Sequence, residues 1–348
     1  LTTGRPEDSE LIAEEMAEEA SLESSLRPPR LADFVGQTRC VENLGVYIKA
    51  AQQRGEALDH ILFSGLPGLG KTTLAHIVGA EMGARLIGTS GPVLEKPGDL
   101  AGVLTKLGEG DVLFVDEIHR LPRIVEEFLY SAMEDFEIDI VLDQGPSARS
   151  LKLRLKHFTM IGATTREGLL TAPFRARFGV RERLDPYPVE QLEEIVCRSA
   201  RILKVGISDP ARRRVAECAR GTPRIANRLL RRIRDVAQVR GDGTIDGAIA
   251  EQGLRMLGID ENGLEELDRA ILQMLAIHDG GPLGLKTLAV SIGEEVQTIE
   301  DVYEPFLIRK GLLLKTPRGR LLSEAGFRLL GMRGRGVKPQ GQLFNEMG

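Results

Sequence analysis

A chain of 348 residues is too long for one ordinary hydrophobic core and calls for two or three domains. Its 42% hydrophobic content supports packed domains, no apolar run approaches the length of a membrane span, and three cysteines (Cys40, Cys197, Cys218) show neither metal-ligand spacing nor a disulfide framework. The net charge of −5 hides an asymmetry: residues 1–30 carry eight acids against three bases, residues 195–240 thirteen bases against three acids, and residues 301–348 nine bases against four acids. The total charge argues against non-specific nucleic-acid binding, and its local distribution permits it.

Residues 1–25 are acidic and lack aromatics. Glu10 to Glu23 has some helical potential but little apolar surface, so a mobile tail is expected. The start shows no n-region, h-region and cleavage site, which reads as cytoplasmic. Leu26-Arg27-Pro28-Pro29 then breaks the chain, and Leu31 to Gln37 leads into a helix ending near Arg54.

Gly65-Leu66-Pro67-Gly68-Leu69-Gly70-Lys71-Thr72-Thr73 fits G-x-x-x-x-G-K-[ST]. Ile61-Leu62-Phe63-Ser64 before it has the length and composition of a buried parallel strand, and Leu74 to Val78 after it continues as a helix. This is the setting a phosphate-binding loop needs. Glycines let backbone N–H groups turn inward around a phosphate, and the helix N-terminus adds partial positive charge. Lys71 would reach the β- and γ-phosphates, and the Thr72 hydroxyl would help coordinate Mg²⁺. The sequence therefore implies nucleotide binding.

Arg85 to Thr89 reads as a second strand and Asp99 to Leu107 as a helix. Val112 to Val115 then forms an apolar strand ending in Asp116-Glu117, 45 residues after Lys71. Asp116 would hold Mg²⁺ through its water shell and Glu117 would polarise the attacking water, with His119 supporting the turn. A helix is expected from Ile124 to Phe136, and a hairpin from Glu137 to Leu142 and Arg149 to Leu155 around a polar turn at Asp143 to Ala148. Phe158 to Thr165 is a further buried strand ending in hydroxyls. Pro173 to Phe178 sets Arg175 and Arg177 beside two phenylalanines, and Val180 to Leu184 is the last strand before Asp185-Pro186-Tyr187-Pro188.

Val189 to Leu257 reads as helical, with breaks at Gly206–Pro210, Gly221–Arg224 and Gly241–Gly243. A helix beginning at Pro223 suits proline's preference for the first turn and places Arg224 at a helix N-terminus. The dipole disfavours a cation there, which suggests an anionic ligand. From Leu264, three helical patterns (Leu267 to His278, Lys286 to Ile292, Ile299 to Arg309) precede a basic hairpin from Gly311 to Leu322. Three short helices and a two-stranded wing make a winged-helix domain, a form that reads DNA or docks proteins. The tail from Gly334 is expected to be disordered.

Six motifs in this order carry a resemblance: Gly65 to Thr73, Asp116-Glu117-Ile118-His119-Arg120, Gly162-Ala163-Thr164-Thr165-Arg166, Arg175-Ala176-Arg177-Phe178-Gly179, Gly221-Thr222-Pro223-Arg224 and Thr316-Pro317-Arg318-Gly319-Arg320. From Leu26 to about Gly331 the chain resembles the AAA+ ATPases, and among them the bacterial motors of Holliday-junction branch migration. Leu66 departs from the family's usual proline. The resemblance implies an α/β fold: an AAA+ P-loop NTPase domain (26–184) with a parallel sheet and helices on both faces, an all-helical lid (185–260) and a winged-helix DNA-binding domain (261–333), between tails at 1–25 and 334–348. It further implies a homohexameric ring around the double-stranded DNA of junction arms, driven by ATP and Mg²⁺ in recombination and repair. RuvA, the family's junction-binding partner, would dock on the 137–155 hairpin, and RuvC would join in the resolving complex.

Carried over by position, Leu26 and Arg27 would border the adenine with Tyr187 opposite. Gly68, Lys71, Thr72 and Thr73 would bind phosphates, and Thr72 and Asp116 the metal. Thr165, or its neighbour Thr164, resembles the sensor of the γ-phosphate, and Arg224 the second sensor on the lid. Arg177 resembles the arginine finger that reaches the neighbouring subunit's γ-phosphate, with Glu134, Asp135 and Phe136 at the same interface. Lys315 and Arg320 on the wing would contact DNA. Two other readings share these motifs. One is a nucleotide switch of the clamp-loader or replication-initiator kind. The other is a protein unfoldase, disfavoured because Gly91 to Gly110 contains no aromatic residue for a pore loop.

Overall fold

The computed structural model describes residues 25–141 and 150–332. Both expected tails and the polar turn of the 137–155 hairpin lie outside the described residues. Contacts group the chain into two compact units, one holding the residues up to Ile207 together with Gly221–Leu230, the other Ser208–Arg220 and the chain from Arg231 on.

The first unit is built on a five-stranded sheet. Its strands are β1 (Ile61–Ser64), β2 (Leu86–Ser90), β3 (Val112–Asp116), β6 (Thr159–Thr164) and β7 (Val180–Arg183), in the order β2-β3-β6-β1-β7. Each neighbouring pair is parallel. Every residue of β1 and β6 is buried, as near-continuous apolar strands covered on both faces must be. Register then decides what meets at the carboxyl ends: Ser64 lies opposite Thr164, and Ser90 opposite Asp116. The loops after β1, β3 and β6 leave from this one edge, the usual place for ligands in an open parallel sheet.

The opposite edge is equally defined. His60, Asp111, Phe158 and Gly179 stand immediately before β1, β3, β6 and β7. His60 knits this edge together, its Nδ1 accepting from the Met160 N–H at 2.9 Å while Nε2 lies 3.1 Å from the Met133 carbonyl. Burial holds its pKa below the usual range, which favours the neutral tautomer this geometry needs.

The helix Arg123–Asp135 buries Val125, Leu129, Ala132 and Met133 against Phe158, Phe174 and Phe178. The hairpin that follows pairs β4 (Glu137–Val141) with β5 (Ser150–Arg154), Ile138 facing Leu153. Its exposed face is polar and ion-paired, with Glu137 meeting Arg154 at 3.1 Å and Lys152 at 3.5 Å.

In the second unit, helices Glu266–Ile277 and Leu285–Ile292 pack Ile271, Leu272, Leu275 and Leu288 against Phe306, Leu307 and Leu313. Leu313–Thr316 and Gly319–Leu322 form the antiparallel wing, followed by a short helix, Glu324–Leu329. The third winged-helix segment begins three residues earlier than the sequence suggests and is not uniformly α-helical. Residues Val296–Thr298 lead into a π-turn at Ile299–Tyr303 before Glu304–Arg309. Pro305 is the physical cause, because it offers no N–H to the preceding turn and its ring crowds that turn's carbonyl.

Candidate active site

The P-loop leaves β1 through Gly65, Gly68 and Gly70, all at positive φ (+140°, +77° and +104°), and enters the helix Lys71–Glu81. Lys71 is 7% exposed, and its ammonium donates to the carbonyls of Gly65 (2.7 Å) and Leu66 (2.8 Å). Burial pulls its pKa down to about 8, against the opposing pull of Asp116. A lysine so desolvated is favourably placed to meet phosphate oxygens, whose negative charge would raise its pKa again.

Thr72 and Asp116 face one another, Oγ1 to Oδ2 at 3.4 Å. Among the described residues no group of three or more His, Cys, Asp or Glu side chains could hold a metal by itself. One hydroxyl and one carboxylate beside a phosphate cradle fit Mg²⁺, which keeps most of its waters and shares ligands with substrate phosphates. Glu117 follows with φ +47°, a left-handed backbone uncommon for a non-glycine residue. Its N–H donates to Asp116 Oδ1 at 2.8 Å, and its carboxylate pairs with Arg120 at 2.9 Å.

At the end of β6, Thr164 is buried and its hydroxyl lies 3.0 Å from His119 Nδ1 while accepting from the Arg166 N–H at 2.9 Å. It ties the β3 turn to β6. Thr165, one residue on, lines the nucleotide cleft.

That cleft, about 460 Å³, is lined by Leu26, Arg27, Gly68, Lys71, Thr72, Thr73, Asp116, Glu117, Thr165, Tyr187 and Arg224. Eleven positions singled out in the sequence thus surround one space. Phe34, Ile195 and Arg198 line it too, and no sequence motif points to them. Arg198 donates to the carbonyls of Leu26 and Asp33, both at 2.9 Å, tying the helix Val189–Ile202 to the segment that brings Leu26 and Phe34 to the cleft. Nothing in the sequence distinguishes it from the other bases of 195–240. Tyr187 is 6% exposed, and its hydroxyl donates to the Leu69 carbonyl at 3.2 Å.

Arg177, Glu134 and Phe136 lie elsewhere, in a second cleft of about 1070 Å³ at the amino ends of the strands, beside His60 and His157. Asp135, between Glu134 and Phe136, ends the Arg123–Asp135 helix on that side. Arg177 Nη2 pairs with Glu134 at 2.6 Å. In the second unit, Lys315 is about half exposed and pairs with Glu300 (2.9 Å) and Glu304 (3.7 Å). Arg320 departs from the expectation of an open wing cation. It is 9% exposed and forked onto the buried Glu304, with Nη2 to Oε2 at 3.1 Å, so a phosphate would have to compete with that carboxylate. Arg318, at the turn of the wing, is exposed.

Three family models match in succession: the Holliday junction DNA helicase RuvB P-loop domain over residues 26–184, the RuvB AAA lid domain over 187–260, and the RuvB C-terminal winged helix domain over 261–331. The chain belongs to the RuvB family. It is 58% identical to the Holliday junction branch migration complex subunit RuvB of Salinibacter ruber over 91% of this chain and 92% of that one. With the corresponding subunit of Chlorobaculum tepidum it shares 54% over 94% and 95%. The Thermotoga maritima RuvB Holliday junction branch migration motor superposes with a TM-score of 0.81 at 47% identity, covering 89% of this chain and 99% of that one. The RuvB family is one of AAA+ P-loop ATPases, so the cleft is that of an ATP hydrolase.

The lid segment closes this cleft onto the P-loop. A Cβ on Gly68 would lie 2.7 Å from Thr222 Cγ2 and 2.9 Å from Arg224 Cβ, at a φ that disfavours any side chain. Gly68→Ala should therefore push the Pro223 helix from the P-loop and weaken ATP binding about tenfold or more, the range expected of a strained backbone and a displaced lid. Titration with a fluorescent nucleotide checks this, and unchanged affinity would show that the lid forms no part of the cradle.

Proposed function

We propose that the chain is an ATP-driven motor of Holliday-junction branch migration in recombination and repair, working as a hexameric ring on duplex DNA with RuvA and RuvC. The observation that supports this best is that the nucleotide cleft lies at the carboxyl ends of the sheet while Arg177 lies in a second cleft at the amino ends. Gly68, Lys71, Thr72 and Thr73 at the carboxyl ends would bind the phosphates, and Thr72 and Asp116 would hold Mg²⁺, which would supply charge neutralisation to the phosphate oxygens. Leu26, Arg27 and Tyr187 enclose the base. Glu117 orients the attacking water and accepts its proton, for which its carboxylate must leave Arg120. Thr165 and Arg224 read the γ-phosphate, one from β6 and one from the lid.

Arg177 stands at the amino ends and does not line its own chain's nucleotide cleft, so it suits action on a neighbour's γ-phosphate. Glu134, Asp135 and Phe136 belong to that same face. The hairpin Glu137–Arg154 is the proposed RuvA dock, and the partly exposed Lys315 the first DNA-phosphate contact.

Glu117→Gln keeps size but removes the proton acceptor. ATP should still bind while hydrolysis, and with it dissociation of a synthetic four-way junction in the presence of RuvA, falls by at least about 100-fold. Hydrolysis at the parent rate would remove Glu117 from this role. DNA-stimulated turnover that continues without a loading event separates a motor from a switch.

An arginine finger contributes about 10³–10⁵-fold in rate. Arg177→Ala should bind ATP almost normally yet barely turn over. Mixed with Lys71→Ala, which lacks a competent P-loop but keeps its finger, it should regain some activity, because a complete site is rebuilt where a Lys71→Ala chain presents its finger to the intact P-loop of an Arg177→Ala chain. No recovery in assemblies shown to contain both would sink action in trans.

Lys315→Ala should weaken binding about equally for unrelated duplexes. The slope of log affinity against log salt should shrink by about 0.9 for each phosphate that the variant no longer neutralises. A weakening confined to particular sequences would mean base readout instead.

A further inference from the structure

The helix Arg123–Asp135 sets three side chains, Glu126, Tyr130 and Glu134, at i, i+4 and i+8, on one face toward the segment that carries Arg177. Glu126 is buried, and its carboxylate accepts from both the Thr171 N–H (3.3 Å) and the Thr171 hydroxyl, anchoring the start of the short helix Ala172–Ala176. At the other end of that helix the Tyr130 hydroxyl accepts from Arg177 Nη2. The Arg177 guanidinium carbon stands 4.6 Å from the Tyr130 ring centroid. Glu134 takes the same Nη2 at 2.6 Å.

These two partners of Arg177 differ in kind. Glu134 is anionic and competes with a phosphate for the guanidinium charge. Tyr130 is neutral: its ring face attracts the cation without being repelled by an incoming phosphate, and it fixes the plane of the fork. We infer that Tyr130 is the positioning residue of Arg177, holding the guanidinium aimed while Glu134 gives way to the neighbour's γ-phosphate. The inference rests on the reading of Arg177 as a finger acting in trans.

Its test uses the full chain in ATPase assays. Tyr130→Ala should lower kcat about 100-fold while ATP affinity and KM stay within about twofold, because the residue does not touch its own nucleotide cleft. Tyr130→Phe keeps the ring face and loses only the acceptor, so its kcat should fall by about two- to tenfold, far less than that of Tyr130→Ala. Mixing Tyr130→Ala with Lys71→Ala should raise turnover as it does for Arg177→Ala. Parent-level kcat for Tyr130→Ala overturns the inference. So does a deficit that mixing fails to recover while Arg177→Ala is recovered, since the damage then lies within the subunit. If Arg177→Ala itself is fully active or not recovered, the finger reading falls, and that outcome is separately visible. Should Tyr130→Ala not fold, Tyr130→Phe carries the same test: a drop of up to about tenfold, recovered on mixing, supports the role, and no drop overturns it.

Discussion

A parallel sheet has two chemically different ends, and this separation governs the ATPase unit. The P-loop, Asp116, Glu117 and Thr165 follow the carboxyl ends of β1, β3 and β6, whereas Arg177 precedes the amino end of β7. The four residues of β1 alone span about 13 Å at the usual rise per residue. A side chain at one end cannot serve a phosphate at the other. On the proposed reading, catalysis requires assembly, because each chain supplies a cradle to itself and a cation to its neighbour.

Within the cleft, local chemistry follows from burial. Lys71 turns back onto two carbonyls of its own loop, and Glu117 rests on Arg120. Both groups that would act on the nucleotide are thus held by replaceable partners. A Cβ on Gly68 would clash with Thr222 and Arg224, so the start of the Pro223 helix is seated directly on the phosphate cradle. The left-handed Glu117 backbone ends β3 directly after Asp116 and starts the 3₁₀ turn Ile118–Arg120, which supplies the Arg120 partner.

The P-loop and the Asp116-Glu117 strand are legible in the sequence because their chemistry demands particular residues at fixed spacing. The choice between Thr164 and Thr165 is not. The residues of β6 form one buried run without alternation, so only the structure shows that Thr164 meets His119 while Thr165 lines the cleft. Arg320 reads as a DNA-facing cation because a linear reading cannot see Glu304, 16 residues earlier, packed beneath the wing. Arg198 is hidden for the opposite reason: one arginine among thirteen bases gives no sign that its guanidinium is turned inward to two carbonyls. The three-segment winged-helix pattern is visible, but its π-turn follows from Pro305 acting on the residues before it, which apolar periodicity does not register.

The chain order adds a last consequence. Glu117 leads through the 3₁₀ turn Ile118–Arg120 and the extended Leu121-Pro122 into the helix Arg123–Asp135, and the far end of that helix grips Arg177 through Tyr130 and Glu134. The residue proposed to activate water in one site therefore stands 13 and 17 residues before Tyr130 and Glu134, the clamp on the finger proposed to serve the next, and the helix that carries the clamp is buried along Val125, Leu129, Ala132 and Met133. A packed helix transmits displacement along its axis because its interior is close-packed and yields little. On the proposed reading, release of Glu117 from Arg120 acts at one end of this segment and capture of Arg177 by a neighbour's phosphate acts at the other, so one packed helix links a chain's own nucleotide site to the finger it offers its neighbour.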